Sequence, residues 1–283
     1  MIDFLWLTLI KSTPLIYAAL GGVICERSGV INIGLEGMIA IGAFAGVAAS
    51  YATGAALVGA LAGILAGAIL GAILGLAATR FSVEQIVAGT GINLIALGGA
   101  AYGIVVIFGH SGATSEVAAL GSRGEAAMVV LALALAGALH LFLFKTRPGL
   151  HVRACGENPR AADVAGIDPL VVRFWATTAG GALAALGGIF LSLAELDLYS
   201  DGMSAGRGFI ALAAVIFGRW NPLGAAGAAL FFGAFEALQF TLQRSGIPSE
   251  LMQALPYLAA LVALAGFAGR ARPPASDGVP YVR

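Results

Sequence analysis

Apolar stretches of about 20 residues recur along the whole chain and limit its fold more than any other feature. A helix of about 20 apolar residues crosses the hydrocarbon core of a bilayer. Charged residues make up only 11% of the sequence, whereas soluble domains carry roughly 25%. The sequence therefore predicts an all-α fold, a polytopic membrane helix bundle of about 8–10 transmembrane segments. The candidate segments are 3–24, 33–50, 55–78, 83–108, 125–144, 174–194, 206–218, 223–242 and 251–269.

The distribution of Lys and Arg predicts which side each loop faces. The longest polar break, 145–173, holds five of the 15 basic residues, and basic loops stay in the cytoplasm. Alternation from this loop puts the N-terminus outside and the C-terminus inside. The first segment lacks the basic start and cleavage site of a signal peptide, so we expect it to remain as a membrane helix. The net charge is zero, so nothing favours a nucleic acid as partner.

Segment 206–218 is short for a spanning helix. Only eleven residues separate Arg207 from Arg219, about 16 Å at helical rise. A re-entrant segment would reverse everything after it and remove the charge bias. We therefore expect this segment to cross, with an irregular first half around Asp201–Arg207.

Two sequence patterns predict how the helices pack. In segment 55–78 a glycine recurs at every fourth position from Gly59 to Gly75, which allows another helix backbone to approach closely. The motif AALGG occurs at 18–22 and again at 184–188, in segments of opposite predicted direction. This predicts an inverted internal repeat, a common plan in transporters. The expected division is one transmembrane domain, 1–283, with half-repeats 1–144 and 174–269, a loop 145–173 and a cytoplasmic tail 270–283.

Both copies contain a polar, glycine-bearing interruption before an apolar half-helix, at 28–37 and 200–208. Irregular backbone at membrane depth is tolerated where it is buried or lines a wet cavity. Asn32 and Glu36 are therefore candidates for a substrate pathway, although Glu36 at the cytoplasmic interface could instead cap a helix. Gln85, Gly89 and Asn93 recur at every fourth position and form a polar stripe that could line the same route.

Two charges, Lys11 and Glu236, lie well inside predicted spans. Charges at membrane depth are costly and usually pair inside the bundle. The predicted directions of the two helices place both residues near the outer end, so a Lys11–Glu236 ion pair is one expectation. The alternative is that Lys11 extends alone to the outer surface.

The loop 145–173 contains a short helix with signals at both ends. Asn158 suits the N-cap, Pro159 the first helical position and Gly166 the left-handed position after the last turn. The helix 159–165 is too short to be stable alone in water, so it must dock on another surface. Glu157, Arg160 and Asp163 could pair with a partner there, unless the helix packs only on its own bundle.

Two other function classes fit the sequence less well. GHSG at 109–112 matches a serine protease motif with His140 or His151 as base, but His140 lies about 22 Å deeper at helical rise. An ion-coupled secondary transporter would share the broken helices but would not need the capped cytoplasmic helix. Cys25 and Cys155 form no metal-binding spacing, and we expect no cofactor.

Three stretches carry a family resemblance: ERSGVINIGLEGMIAIGAFAG at 26–46, GENPRAADVAGI at 156–167 and GRGFIALAAVIFGRWNPLGA at 206–225. With nearly the whole chain, they resemble the permease subunits of bacterial nucleoside ATP-binding-cassette importers, which are related to ribose and branched-chain amino acid permeases. The resemblance implies that 156–167 couples to a separate cytoplasmic ATPase. No phosphate-cradling glycine loop precedes the only lysines, Lys11 and Lys145, so we expect no ATP hydrolysis by this chain.

The same resemblance implies the remaining partners and the place of action. It implies a second permease subunit, an extracytoplasmic substrate-binding protein or lipoprotein, contact with membrane lipid, and a multi-pass location in the bacterial inner membrane. The cargo expected from the resemblance is a nucleoside. A simple sugar such as ribose is the alternative, because no residue pattern in the chain identifies the cargo.

Overall fold

Ten helices follow one another in the part of the chain that the structure, a computed structural model, describes: residues 2–242, 258 and 272–282. They are α1 (Ile2–Ser28), α2 (Leu35–Thr53), α3 (Ala56–Thr79), α4 (Gln85–Phe108), α5 (Gly121–Lys145), α6 (Arg147–Glu157), α7 (Pro159–Val164), α8 (Pro169–Ile189), α9 (Arg207–Phe217) and α10 (Pro222–Leu242). A π-helical segment, Phe190–Glu195, continues α8.

Seven of these helices are long and apolar enough to cross a membrane: α1, α2, α3, α4, α5, α10, and α8 with its π-helical end. Large apolar side chains on α4 point away from the bundle, as at Leu94 and Tyr102, where a lipid environment suits them. The predicted all-α polytopic bundle is confirmed. Apart from Leu258, the predicted span 251–269 lies outside the described residues.

Close approaches between helices fix their relative directions. Gly21 of α1 faces Gly180 of α8, and Pro14 faces Gly187, so these two helices run antiparallel. This is the relation that an inverted repeat requires of the two segments carrying AALGG. The boundaries of the half-repeats stay a prediction.

The glycine stripe of α3 lies where the sequence predicts a close helix approach. A Cβ on Gly63 would sit 2.6 Å from the carbonyl oxygen of Gly42 on α2, and one on Gly67 would sit 2.5 Å from that of Gly181 on α8. Real Cβ atoms do not approach backbone so closely, so only glycine allows this packing. The stripe therefore seats α3 against both α2 and α8.

The short helix α9 continues an irregular segment, and its two ends have partners near opposite ends of the bundle. Before it, the Asp201 amide donates to the Gly112 carbonyl (2.7 Å) in the loop that precedes α5. After it, the Arg27 guanidinium donates to the Trp220 carbonyl (2.7 Å) at the far end of α1. The chain thus passes across the bundle with an irregular first half, which agrees with the predicted crossing of 206–218.

The loop 145–173 is more helical than the sequence predicts, with α6 added and α8 starting at Pro169 instead of 174. The Thr146 hydroxyl accepts a hydrogen bond from the Gly149 amide at the start of α6 (3.2 Å), and Pro148 lies in its first turn. Asp168 caps α8 in the same way. These capping signals were present in the sequence, but the polarity of α6 hid its helical character.

Candidate functional site

The break between α1 and α2 is held by the polar stripe of α4. The Ile31 amide donates to Gln85 Oε1 (2.8 Å), and the Gly37 amide donates to Asn93 Oδ1 (2.7 Å). The Asn93 Nδ2 group also donates to the Ile33 carbonyl (3.0 Å). These bonds satisfy backbone groups that helix geometry leaves unpaired at the break.

Gly89 lets α4 come this close, because a Cβ there would sit 2.9 Å from the Gly34 amide nitrogen. The structure therefore brings together the predicted residues Asn32, Glu36, Gln85, Gly89 and Asn93 around one break.

Two buried polar atoms at the break have no hydrogen-bond partner: Asn32 Oδ1 and Gln85 Nε2. Asn32 is 0% exposed and Gln85 1%. The Asn32 amide group lies 3.5 Å from Cys25 Sγ and 3.4 Å from Met38 Sδ, which are weak acceptors. An unpaired buried polar group costs about 1–3 kcal/mol. A ligand or water that formed a hydrogen bond with either atom would regain free energy of this order.

Glu36 joins the two interrupted segments. Its Oε1 accepts from the Gly206 amide (2.8 Å) and its Oε2 from the Gly208 amide (2.7 Å). Glu36 therefore caps α9, so the capping role considered from the sequence is present, and the helix that it caps belongs to the other predicted half. An acidic group at a helix N-terminus is also favoured by the helix dipole.

A glycine lies in the first turn of each of α2 and α9, at matching places in the predicted repeat. Gly37 and Gly208 both precede an apolar run, GMIAIGA and GFIALAA, and a Cβ on Gly208 would sit 2.5 Å from the Cα of Glu36. The beginnings of α2 and α9 thus meet inside the bundle.

The predicted cytoplasmic helix is present as α7. The Asn158 side chain accepts from the Ala161 amide (3.1 Å), Pro159 begins the helix, and Gly166 follows it at φ +84. Pro159 and Ala162 are buried, while Arg160 and Ala161 are exposed. Val164 is 92% exposed.

Two of the residues expected to pair with a partner are engaged within the chain. Asp163 Oδ2 accepts from the Tyr281 hydroxyl (2.8 Å), and Glu157 Oε2 accepts from the Ala275 amide (3.3 Å). Both bonds come from the segment 272–282, which lacks periodicity in the sequence and gave no signal of this contact. Ala162 is likewise buried and does not belong to the exposed face of α7.

The expected Lys11–Glu236 ion pair is wrong. Lys11 pairs with Glu195 at the end of the π-helical segment, and Arg207 pairs with Glu236 (2.5 Å). Lys11 does lie at the same end of the bundle as the Glu236 helix, as the sequence predicts. Its ammonium group is 4.4 Å from the ring centre of Phe240, on the same helix as Glu236. The prediction of this pair was wrong because the observed partners, Glu195 and Arg207, lie in or next to irregular stretches whose positions the sequence does not indicate.

The serine protease alternative finds no support in the described geometry. His140 Nδ1 lies 3.2 Å from Asn221 Oδ1, at the start of α10. Ser111 is exposed in the loop before α5, which lies at the other end of that helix.

Comparisons with known proteins agree with this architecture. The sequence profile of the family described as branched-chain amino acid transport system / permease component matches residues 4–269. The guanosine ABC transporter permease protein NupQ of Bacillus subtilis is 38% identical, over 98% of this chain and 95% of that protein. The nucleoside ABC transporter permease protein NupC of Lactococcus lactis is 35% identical, over 97% and 95%.

A third relative is named for a different cargo. The putative glucose ABC transporter permease protein TsgC13 of Haloferax volcanii is 34% identical, over 83% of this chain and 76% of that protein. No solved structure matches. The profile match and the nearly full-length relatives show that the chain belongs to the branched-chain amino acid transport system permease family, as a multi-pass, non-enzymatic component of ATP-binding-cassette transport.

Proposed function

We propose that this chain forms the nucleoside pathway of a bacterial ATP-binding-cassette importer in the inner membrane. The observation that carries the proposal is the nearly full-length similarity to two permeases named for guanosine and nucleosides. A simple sugar is the second candidate, because the relative named for glucose is 34% identical. We expect a separate ATPase, a second permease subunit and an extracytoplasmic binding protein to complete the importer, as the family resemblance implies.

The cargo test uses the complete importer, purified from its host through a tag on this chain and reconstituted in liposomes. We expect guanosine, delivered with the co-purified binding protein, to stimulate ATP hydrolysis, while ribose and glucose do not. Stimulation by a sugar alone would replace the nucleoside assignment with the sugar alternative. A control without binding protein separates substrate stimulation from basal hydrolysis.

We propose that the ATPase seats on α7. In support, the exposed face of this helix combines a charge, Arg160, with the small apolar residues Ala161 and Val164.

Arg160→Glu should abolish guanosine-stimulated hydrolysis while the chain still inserts. Ala162→Pro should do the same, because the Ala162 amide donates to the Asn158 carbonyl (3.1 Å) and proline removes that donor. Arg147→Glu, an exposed residue of α6 in the same loop, is the matched control. Stimulation at the wild-type level in both α7 variants would contradict the assignment.

We propose that the break held by α4 borders the translocation route. The unpaired atoms of Asn32 and Gln85 support this, because a passing hydroxyl or water could satisfy them. Asn93→Leu should lower uptake per molecule of inserted protein, since it removes the bonds to Gly37 and Ile33. Thr90→Leu is the control, an exposed polar residue one turn earlier on the same helix. If Asn93→Leu reduces only the amount of protein, the residue serves packing alone.

A further inference from the structure

The segment 272–282 lies against the cytoplasmic face and contacts both short helices. The Ser276 amide donates to the Gly156 carbonyl (2.9 Å), and its hydroxyl donates to the Glu157 carbonyl (3.3 Å) at the end of α6. Pro274 is buried, and Tyr281 is 8% exposed. These contacts give a segment without regular secondary structure a defined place.

Its far end is joined to α7 by a side-chain hydrogen bond. The Tyr281 hydroxyl donates to Asp163 Oδ2 (2.8 Å) on the last turn of α7. A cavity of about 400 Å³ lies between the first turn of α7 and residues 276–282. A helix of six residues has too few internal bonds to keep its own position. The place of α7 therefore depends on what packs against it, and Tyr281 is a principal part of that support.

Arg173 connects the same segment to the transmembrane bundle. This side chain, 1% exposed, donates to the Val279 carbonyl from Nη1 (3.0 Å) and to the Ser276 carbonyl from Nη2 (3.4 Å). Its Nε donates to the Ser28 carbonyl at the end of α1 (3.1 Å). One guanidinium thus bridges the segment 272–282 and the point where α1 stops.

The end of α1 is shaped to receive this guanidinium. Gly29 has φ +96, and a Cβ there would sit 2.5 Å from Arg173 Nη2. Only glycine takes both the left-handed backbone and the close approach without strain. The bridge therefore ends on the first residue of the break that α4 and Glu36 hold.

We propose that residues 272–282 are a coupling strut that links the position of α7, through Tyr281 and Arg173, to the break after α1. The inference rests on the proposed function, in which the ATPase seats on α7. When α7 moves, Asp163 moves with it and displaces Tyr281 and the strut through the hydrogen bond between the two residues. Arg173 binds both the strut and the Ser28 carbonyl, so it transmits this displacement to the end of α1. Tyr281 is thus a positioning residue for coupling, since it contacts neither cargo nor nucleotide.

The test compares Tyr281→Phe with wild type in the reconstituted importer. Loss of a hydrogen bond to a charged acceptor is expected to reduce guanosine-stimulated hydrolysis about tenfold or more, with basal hydrolysis unchanged. Tyr102→Phe, an exposed tyrosine on the outward face of α4, is the matched control. Asp163→Ala should lose at least as much stimulation as Tyr281→Phe. Adding Tyr281→Phe to Asp163→Ala should cause no further loss, because the bond between the two residues is already absent there. Asp163→Asn keeps an acceptor and should retain most of the stimulation.

The outcomes separate this inference from the proposed function. Wild type could respond to guanosine while Tyr281→Phe, Asp163→Ala and the double variant respond to the same extent as wild type. In that case the strut does not couple, and the inference falls alone. If the variants lose melting temperature and yield but keep the ratio of stimulated to basal hydrolysis, Tyr281 serves folding only and the inference also falls. If wild type responds to no nucleoside or sugar, the proposed function falls and takes the strut with it.

Discussion

Glu36 is the residue at which the two halves depend most directly on each other. Its two carboxylate oxygens satisfy the amides of Gly206 and Gly208, and its side chain is 4% exposed. A residue of the first half thus completes the beginning of a helix in the second. Substitution here acts on the junction of the halves as well as on local capping.

Glu36→Gln should lower the free energy of unfolding by about 1–3 kcal/mol, because the glutamine NH₂ group faces an amide donor and leaves it unsatisfied. Uptake per inserted molecule should fall with it. Glu84→Gln is the control, since Glu84 caps α4 through the Ile86 and Val87 amides at an exposed position, where the same change costs less than about 1 kcal/mol. Thermal unfolding in detergent measures both. Equal losses of unfolding free energy in the two variants would mean that the burial of Glu36 adds no stability beyond that of an exposed cap.

The ion pairs give a second test at the residue scale. The side chains of Lys11 and Glu195 are 11% and 16% exposed, and removing one partner of a buried pair typically costs about 3–5 kcal/mol. Lys11→Glu and Glu195→Lys should each reduce the amount of inserted protein, and the double variant should recover much of it. Lys11→Glu with Glu236→Lys should not recover, because Glu236 binds Arg207. Recovery by the second combination alone would contradict the observed pairing.

At the residue scale, the sequence predicted positions better than partners. The period of four in Gln85, Gly89 and Asn93 placed them on one face, and that face meets the break. The partner of Lys11 could not be predicted, because Glu195 ends a π-helical segment whose extra residue in the turn shifts the later side chains around the axis. Arg207 depends in the same way on the irregular approach to α9.

At the element scale, the apolar periodicity predicted the described spanning helices closely, because each must satisfy its own backbone in lipid. The prediction 55–78 corresponds to Ala56–Thr79, and 223–242 to Pro222–Leu242. Outside the membrane this constraint is absent. Helix α6 and the strut were missed because neighbouring surfaces, which the sequence does not show, determine their structure.

The glycine groove of α3 allows a test at the element scale. Gly67→Ala places a methyl group against the Gly181 carbonyl, and overpacking of this kind costs about 1–3 kcal/mol. Gly98→Ala on α4 meets nothing within 4 Å and should be neutral or stabilising by up to about 1 kcal/mol, since alanine favours helix. The melting temperatures of the two variants in one detergent give the comparison. Similar melting temperatures would show that α3 and α8 can separate without cost.

At the scale of the whole molecule, the break, the junction at Glu36 and the strut form one continuous connection. It runs from α7 through residues 272–282 and Arg173 to the end of α1, then across the break to Glu36 and α9. The links are the side-chain bond between Tyr281 and Asp163, hydrogen bonds from side chains to backbone, and contacts in which glycine is required. Such a chain of contacts can carry a displacement from α7 to the middle of the bundle.

The orientation of the bundle in the membrane can be tested with thiol labelling, but not with the native cysteines. Both are buried, and burial raises the pKa of the Cys155 thiol to about 11, so little of it is the reactive thiolate at neutral pH. We expect both to be silent from either side. Their silence therefore carries no information about orientation.

Exposed positions on opposite faces give a decisive version of the experiment. In a Cys25→Ala, Cys155→Ala background, Ser115→Cys lies exposed in the loop before α5, and Val164→Cys lies on α7 at a position that is 92% exposed. An impermeant maleimide added to intact cells should label Ser115→Cys and leave Val164→Cys unlabelled until the membrane is permeabilised. The reverse pattern would place α7 outside, where no ATPase could reach it. Because α1 and α8 are antiparallel, that single result would invert both halves together and would leave the internal packing unchanged.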